Sequence, residues 1–191
     1  MDVKLSCACG NVEGVATGIS PRSGNRVVCC CSDCQAFAAH LERDKDILDE
    51  FGGTDLFQTS QSQIQLGKGV DLLRSVKVKK SGLIRWYTDC CRTPVGNSIS
   101  AKNPFIGIVH NFMIHNGDRS ADLGPVLAYV QTQYARGTPT YPHSAAKFPV
   151  GITLRMIRKL LLWKLQGKQS PSVFFSSNGD PVAEPVVLGK R

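Results

Sequence analysis

The sequence lacks any apolar run long enough to cross a bilayer, and no apolar stretch near its start resembles a secretory leader. A spanning helix needs roughly 18 or more apolar residues, and the core of a leader needs about 7–15. These absences predict a cytoplasmic protein whose thiols stay reduced. Hydrophobic residues make up 42% of the 191 residues, so the chain can bury a core, and its length predicts one domain with room for an appendage.

Acidic residues are missing from residues 123–179, although this segment carries seven lysines and arginines. The whole chain has a formal net charge of +8. An uncompensated basic region favours anionic partners, which are lipid headgroups, nucleic acid or an acidic protein. Nucleic acid is unlikely among these, because the sequence shows no basic groove interleaved with aromatics and no known DNA-reading motif.

Residues 152–165, inside this acid-free segment, have the pattern of an amphipathic helix with basic residues along one flank. Three interpretations remain open for it. The helix could pack on its own domain or on a second subunit in a homo-oligomer. It could lie on an anionic membrane surface, since leucines and Trp163 with flanking basic residues suit an interface. It could also bind nucleic acid.

The first 116 residues alternate short apolar runs with Gly, Ser and Lys turns, a pattern typical of β-strands. Strands are predicted over residues 11–17, 26–28, 55–59, 63–66, 73–78, 83–87, 95–99 and 105–112. Helical spacing of apolar residues predicts one helix in this half, over residues 37–51, ended by Gly52 and Gly53. Residues 170–191 read as an extended tail.

Histidine is scarce, with four in the chain, whereas eight cysteines lie in three clusters. The clusters are Cys7 and Cys9, then Cys29, Cys30, Cys31 and Cys34, then Cys90 and Cys91. Cysteines two or three residues apart on a turn can direct their sulfurs at one point, as a zinc ion with thiolates at about 2.3 Å requires. Disulfides are the alternative, but a reducing compartment and the adjacency of Cys30 and Cys31 oppose them.

Other polar residues near the clusters have two interpretations each. Arg26, Arg85 and Arg92 could offset thiolate charge or bind substrate carboxylates, or they are exposed arginines on strands. His40 could act near a metal or lie on the solvated side of a helix. Asp33 is either a hydrogen-bond acceptor behind a metal ligand or a turn residue.

The order and spacing of the clusters resemble the glutathione-dependent formaldehyde-activating enzyme family, which includes the centromere protein V-like relatives. The family pattern is C-x-C-G, then C-H-C-x-x-C, then C-x-x-C-G-T-P. The corresponding segments here are Cys7-Ala8-Cys9-Gly10, Cys29-Cys30-Cys31-Ser32-Asp33-Cys34 and Cys90-Cys91-Arg92-Thr93-Pro94. The resemblance covers roughly residues 5–115, and the remainder looks like an extension typical of a bacterial subgroup.

The resemblance implies a mainly β fold, the zinc-binding β-tent of small antiparallel sheets, with a C-terminal helical extension. The zinc-binding β domain would span residues 1–120. The basic C-terminal extension, with one amphipathic helix and an extended tail, would span residues 121–191.

The resemblance also implies two zinc sites. Cys29, Cys31 and Cys34 would hold a catalytic zinc with an open fourth position, whereas structural sites are closed. Cys30, where the family often has His, is then a spare thiol or competes with Cys29 as ligand.

Cys7, Cys9 and Cys91 would hold a structural zinc with one more ligand. Thr88 stands where the family has its other cysteine, so Cys90 is the substitute, and Arg92 replaces a glycine. Because adjacent residues seldom bind one tetrahedral ion without strain, this site could be rearranged, completed by water or absent.

The activity implied by the resemblance is that of a carbon–sulfur lyase, which joins the thiol of glutathione, or another thiol, to formaldehyde. The product is S-hydroxymethylglutathione, and the protein mainly has to orient the two partners. The alternative is a non-catalytic zinc-stabilised interaction module. The altered third motif supports the module, and the intact frame of Cys29, Cys31 and Cys34 supports the enzyme.

Overall fold

A computed structural model describes residues 1–189, and within them the fold is mainly β, with two sheets and four short helices. The strands are β1 (Val3–Ser6), β2 (Glu13–Ala16), β3 (Asn25–Cys29), β4 (Thr54–Ser60), β5 (Ile64–Lys68), β6 (Leu73–Lys77), β7 (Ile84–Thr88), β8 (Pro94–Ser98), β9 (Phe105–Val109), β10 (Met113–Ile114), β11 (Ala128–Val130), β12 (Ser144–Ala145) and β13 (Val186–Val187). The helices are α1 (Ser32–His40), α2 (Asp44–Ile47), α3 (Arg119–Leu123) and α4 (Val150–Leu165).

The smaller sheet has the order β10-β1-β2-β5 and is antiparallel throughout. The larger sheet has the order β12-β11-β3-β4-β9-β8-β7-β6-β13. Its central pairs are antiparallel, but β11 runs parallel to β3 and β12, and β13 runs parallel to β6. Both edge strands of the larger sheet, β12 and β13, therefore come after residue 121, and each is only two residues long, which limits pairing with other chains.

The eight predicted strands correspond to β2–β9, with ends displaced by a few residues. The predicted helix over residues 37–51 is wrong at both ends. Helix α1 begins at Ser32, because Cys31 is its N-cap and the sulfur of Cys31 accepts the backbone N–H of Cys34 at 3.4 Å. It ends at His40, and Glu42 follows with a left-handed φ of 56°.

Side-chain alternation along β3 places Val27 and Cys29 on one face of the larger sheet, where helix α1 packs through Phe37. Arg26 lies on the opposite face. A second core cluster, between the two sheets, includes Trp86 with 0% of its side chain exposed. Residues Cys31 to Cys34 thus lie where β3 ends and α1 begins, and both of these elements pack in the hydrophobic core.

Residues 170–189, the described part of the predicted tail, pack on the β-sheets, and residues 190–191 lie outside the described residues. Phe174 is 0% exposed, and the centroid of its ring lies 5.2 Å from that of Trp86. Ser75 donates a hydrogen bond to the carbonyl of Ala183 at 2.7 Å, and Ser172 donates one to Oε1 of Gln61 at 2.6 Å. The predicted extended tail therefore contributes to the core that the sheets enclose.

Among residues 1–189, no helix has both the length and the apolar character that a bilayer crossing requires.

Candidate metal centres

Four cysteines from the two ends of the first half of the chain lie together, and we call them the four-cysteine group: Cys7, Cys9, Cys90 and Cys91. All their Sγ atoms lie within 4.8 Å of one another. The Cys7–Cys9 distance is 3.6 Å, and Cys90 lies 3.9 Å from Cys7 and 3.4 Å from Cys9. Cys90 and Cys91 are 3.8 Å apart.

These sulfur distances fit a tetrahedral metal ion. Four thiolates at about 2.3 Å from one tetrahedral ion lie about 3.8 Å from each other. The adjacency of Cys90 and Cys91 therefore does not prevent both sulfurs from reaching one point. The group could hold a metal ion with four thiolates, which is the closed arrangement of a structural site.

Two turns bring the four sulfurs together. In the first, Gly10 adopts a left-handed φ of 72° and donates its N–H to the carbonyl of Cys7 at 3.0 Å. In the second, which follows β7, the N–H of Arg92 reaches the carbonyl of Thr88 at 2.8 Å. Arg92 has a left-handed φ of 53° there, a backbone conformation that favours glycine.

Hydroxyl groups surround the sulfur of Cys91. Thr88 Oγ1 lies 3.4 Å and Thr93 Oγ1 lies 3.2 Å from this sulfur. Thr93 also accepts hydrogen bonds from the N–H of Ala8 at 3.0 Å and from Nη1 of Arg43 at 3.3 Å, which ties the two turns together. Burial raises the pKa of Cys91, but these two hydroxyls, together with hydrogen bonds from the backbone and thiol of Cys9, outweigh burial and lower it to about 5, which favours the thiolate that a metal requires.

Arg92→Gly is expected to stabilise the fold by about 0.5–1 kcal/mol, because a left-handed backbone strains any residue with a Cβ. The substitution also removes an ion pair from Arg92 to Glu42, but both partners are exposed and such a pair contributes little. Arg74→Gly is the comparison, since Arg74 also forms one exposed ion pair but lies in strand β6, and this substitution additionally removes the hydrogen bonds from Nη1 of Arg74 to the carbonyls of Asp71 and Leu73. Urea unfolding should show Arg74→Gly destabilised, and a destabilised Arg92→Gly would contradict the strain at this turn.

A second set of sulfurs, which we call the three-cysteine group, consists of Cys29, Cys31 and Cys34, with Sγ atoms within 4.8 Å of one another. Cys29 ends β3, Cys31 caps α1, and Cys34 lies in its first turn. The sulfurs of Cys31 and Cys34 are 3.2 Å apart. The group could hold a metal ion with three thiolates and leave a fourth position for another ligand.

Cys30 is 0% exposed and lies outside the three-cysteine group. Its N–H donates to the carbonyl of Val130 at 3.0 Å, which continues the contact between β3 and β11. Burial, followed by the negative charge of Asp49, raises the pKa of the Cys30 thiol to about 11. Cys30 therefore behaves as a buried neutral thiol.

Negative charge in the three-cysteine group resides first on Cys31. The Cys31 thiolate accepts hydrogen bonds from the thiol of Cys29 and then from that of Cys34, and these bonds lower the pKa of Cys31 to about 2. Donating this hydrogen bond raises the pKa of Cys29. The start of helix α1 adds to this effect, because unpaired N–H groups at a helix N-terminus attract a thiolate.

Arg85 supplies a buried positive charge beside the group. Only 3% of Arg85 is exposed, and its Nη1 lies 3.7 Å from the sulfur of Cys34 and 3.1 Å from Oδ1 of Asn97. Its guanidinium lies 5.6 Å from the ring centroid of Phe37. No carboxylate in the described part of the chain forms an ion pair with Arg85, so thiolates are the anions that balance it. Burial opposes this charge, but Cys34 and then Cys31 raise the pKa of Arg85.

The other two arginines that flank the clusters are engaged elsewhere. Arg26 is buried on the opposite face of the sheet and forms an ion pair with Asp55 at 2.8 Å. Arg92 is exposed and pairs with Glu42 at 3.0 Å. Within the described residues, Arg85 is the only one of these three arginines whose side chain contacts a cysteine sulfur.

Asp33 forms an ion pair with Nζ of Lys79 at 2.8 Å, and this contact raises the pKa of Lys79. His40, at the end of α1, packs edge-to-face with Tyr87 at 5.9 Å between ring centroids. Asp33 and His40 both line a cleft of about 360 Å³ along α1. The cleft is lined by Ser32, Asp33, Ala36, Ala39, His40, Val78, Lys79, Leu188 and Gly189.

Sequence reasoning missed Thr93 and Asn97 as parts of the sites. Thr93 lies inside the third motif, two residues after Cys91 and directly before Pro94, and this position was the available signal. Asn97 faces Arg85 across the antiparallel pair β7 and β8, with Arg85 opposite Asn97 in the register. That pairing connects residues twelve apart in the chain, and no local sequence pattern predicts it.

Comparisons with known proteins place the chain in a family. Among solved structures, it is similar to the crystal structure of a Rhodobacter sphaeroides protein, a structural genomics target, with 16% identity and a TM-score of 0.44. That likeness covers 64% of this chain and 96% of the other. No curated protein matches the sequence. Residues 1–186 match the model of a family described as a family of unknown function, DUF6151. Because this match spans nearly the whole chain, the protein belongs to DUF6151.

Proposed function

We propose that this protein is a cytoplasmic zinc enzyme related to the glutathione-dependent formaldehyde-activating family, with the two sheets forming a β-tent. In this proposal the four-cysteine group holds a structural zinc, and the three-cysteine group holds a zinc at which a thiol meets an aldehyde. The observation that supports the proposal best is the three-cysteine group itself, which leaves a fourth ligand position and lies beside the buried charge of Arg85.

Zinc is the metal that these donors favour. Thiolates are soft ligands, and a tetrahedral set of sulfurs is typical of zinc or of iron–sulfur clusters. The four-cysteine group matches a closed four-thiolate site. The three-cysteine group matches the three protein ligands of catalytic sites, whose fourth position takes water or substrate.

Charge balance supports thiol chemistry at the three-cysteine group. Three thiolates with a divalent cation carry one surplus negative charge, and Arg85 offsets it from the buried side. The N-terminal turn of α1 offsets it further through the N–H of Cys34. Zinc held there would supply the positive charge that keeps a substrate thiol ionised at neutral pH.

The proposed reaction requires little else from the chain. The thiolate sulfur of glutathione or of another thiol attacks the aldehyde carbon, a C–S bond forms, and the carbonyl π electrons pass to oxygen. The thiol proton is released to solvent and the oxygen takes one proton from solvent, so no oxidant or reductant is needed. The protein holds the two partners close together, which is the main source of acceleration for an addition of this kind.

A second candidate is a non-catalytic zinc-stabilised interaction module. One observation favours it: the cleft along α1 is lined by nine described residues, none of which is a cysteine of the three-cysteine group. A metal ion in the three-cysteine group would then only fix the junction of β3 and α1. The two candidates differ in whether a small thiol reaches the group.

The test combines metal analysis with exchange spectroscopy. We expect two zinc ions per chain by elemental analysis, and faster exchange between formaldehyde and glutathione with the protein than without it. The Arg92→Gly variant is the control, because it leaves the three-cysteine group unchanged and should accelerate exchange equally. Equal rates with and without protein, or a metal spectrum with four protein thiolates at both sites, would favour the interaction module. A protein without transition metal, with its cysteines paired as disulfides, would contradict both.

A further inference from the structure

Helix α4 is apolar on two opposite sides. One side faces the rest of the molecule through Trp163, of which 5% is exposed. The outward side carries a second apolar row, and its members have between 47% and 85% of their surface exposed. We call this row the outer stripe, and it consists of Val150, Leu154, Ile157, Leu161 and Leu165.

The outer stripe is continuous along the whole helix. Its members follow one another at steps of four, three, four and four residues, so at 100° per residue they lie within about 80° of one another. Leu162 widens it on one side with 44% exposure. Isolated exposed leucines are ordinary on protein surfaces, but a continuous stripe of this kind marks a surface that contacts something apolar.

Basic side chains hold α4 against the molecule so that the stripe points outward. Lys159 donates to the carbonyl of Arg22 at 2.6 Å, and Lys164 donates to the carbonyl of Lys102 at 2.6 Å. Arg155 reaches the carbonyl of Pro21 at 3.4 Å. These contacts fix the roll of the helix, and the stripe is therefore a formed surface that needs no rearrangement to be used.

The charges beside the stripe oppose pairing with a second copy. Arg158 is exposed and lies next to the stripe on the helix surface, and Lys147 is exposed just before the helix. Because residues 123–179 contain no acidic residue, two stripes placed face to face would bring positive flanks together with nothing to pair them. The partner of this surface must be apolar at its centre and negative at its rim.

A bilayer with anionic headgroups has these properties. The outer stripe is a ridge rather than a groove, and acyl chains can yield around such a ridge. An interfacial helix inserts its apolar side at the boundary of headgroups and acyl chains, while Lys and Arg contact anionic lipid. We propose that α4 docks this protein on anionic lipid bilayers through the outer stripe, with Arg158 and Lys147 contacting the headgroups.

The test uses the full chain with vesicles of phosphatidylcholine, either alone or with phosphatidylserine added. We expect cosedimentation with the acidic vesicles, weakened by at least about a hundredfold in the double variant Leu154→Ser/Leu161→Ser, because two side chains of the stripe lose the free energy of burial among the acyl chains. Ile114→Ser is the matched control, because Ile114 is 46% exposed but lies in β10, and it should bind like the unsubstituted protein. Leu165→Ser, at the most exposed position, serves if the double variant folds poorly.

A tryptophan placed at Leu161 separates insertion from adsorption. In Leu161→Trp we expect a blue shift of fluorescence on acidic vesicles, whereas Trp86 and Trp163 are already buried and should contribute a constant signal. No cosedimentation, equal binding by all variants, or equal binding to neutral and acidic vesicles would overturn the proposal. A concentration-dependent dimer that Leu154→Ser/Leu161→Ser abolishes, without vesicle binding, would instead assign the stripe to a second copy of this chain.

Discussion

Replacing Cys31 by serine is expected to release the metal from the three-cysteine group and to leave the four-cysteine group loaded. Cys31 is the first of the three to ionise, and its sulfur also accepts the N–H of Cys34 at the start of α1. A serine hydroxyl stays neutral at pH 7 and is a poor ligand for a soft metal, so affinity should fall by several orders of magnitude. Elemental analysis with free-thiol counting should show one metal ion fewer per chain.

The matched control for this substitution is Cys30→Ser. Cys30 neighbours Cys31 in the chain, is equally a cysteine, and lies outside the three-cysteine group. We expect its metal content to equal that of the unsubstituted protein. A larger metal loss in Cys30→Ser than in Cys29→Ser would mean that the ligand frame is displaced by one residue.

The free energy of unfolding is a second quantity that Cys31→Ser is expected to change. Cys31→Ser removes the cysteine that ionises first, so the buried guanidinium of Arg85 would keep the Cys34 sulfur at 3.7 Å and Oδ1 of Asn97 at 3.1 Å but would have less negative charge beside it. Breaking a buried charge pair by removing one partner typically costs about 3–5 kcal/mol, and Cys31→Ser should cost at most this much because Cys29 and Cys34 remain. The metal site and the core around α1 are therefore expected to lose stability together, and an Arg85→Met replacement in the Cys31→Ser background should recover part of the loss.

The mainly β fold could be predicted because each strand from β2 to β9 has its own short apolar run and its own turn residues. The start of α1 could not, because the N-cap is Cys31, and a thiol is not among the side chains that usually signal a helix start. Helical spacing further along then placed the helix over residues 37–51, beyond the left-handed Glu42 at which the observed helix has already ended.

The membership of the two cysteine groups follows partly from local spacing. Cys31 and Cys34 lie one helical turn apart, so their proximity is local and could be predicted. The meeting of Cys7 with Cys90, 83 residues away, depends on the pairing of whole strands, and only the family resemblance anticipated it. The role of Arg85 cannot be predicted from the sequence, because side-chain alternation in a strand does not tell which face is buried.

The segment after residue 170 shows most clearly what the sequence could not reveal. Its residues carry no periodic pattern, and residues 170–189 form a single short strand, β13. Their contribution comes from two aromatic side chains: Phe174 and Phe175 lie 5.2 Å and 5.8 Å from Trp86 between ring centroids. A stretch without regular structure can thus complete a core, since burial of large side chains does not require hydrogen-bonded strands.

Phe174→Ala is expected to lower the free energy of unfolding by about 3–5 kcal/mol, because it removes a fully buried ring and leaves a cavity beside Trp86. Phe148→Ala is the matched control: Phe148 is 39% exposed, precedes α4, and should change stability by less than about 1 kcal/mol. Urea unfolding followed by the fluorescence of Trp86 measures both. If Phe174→Ala were as stable as Phe148→Ala, the tail would not be packed on the sheets in solution. A large loss would instead make residues 170–189 part of the cooperative unit that unfolds with the sheets, so the metal sites would depend on a segment far from every cysteine in the sequence.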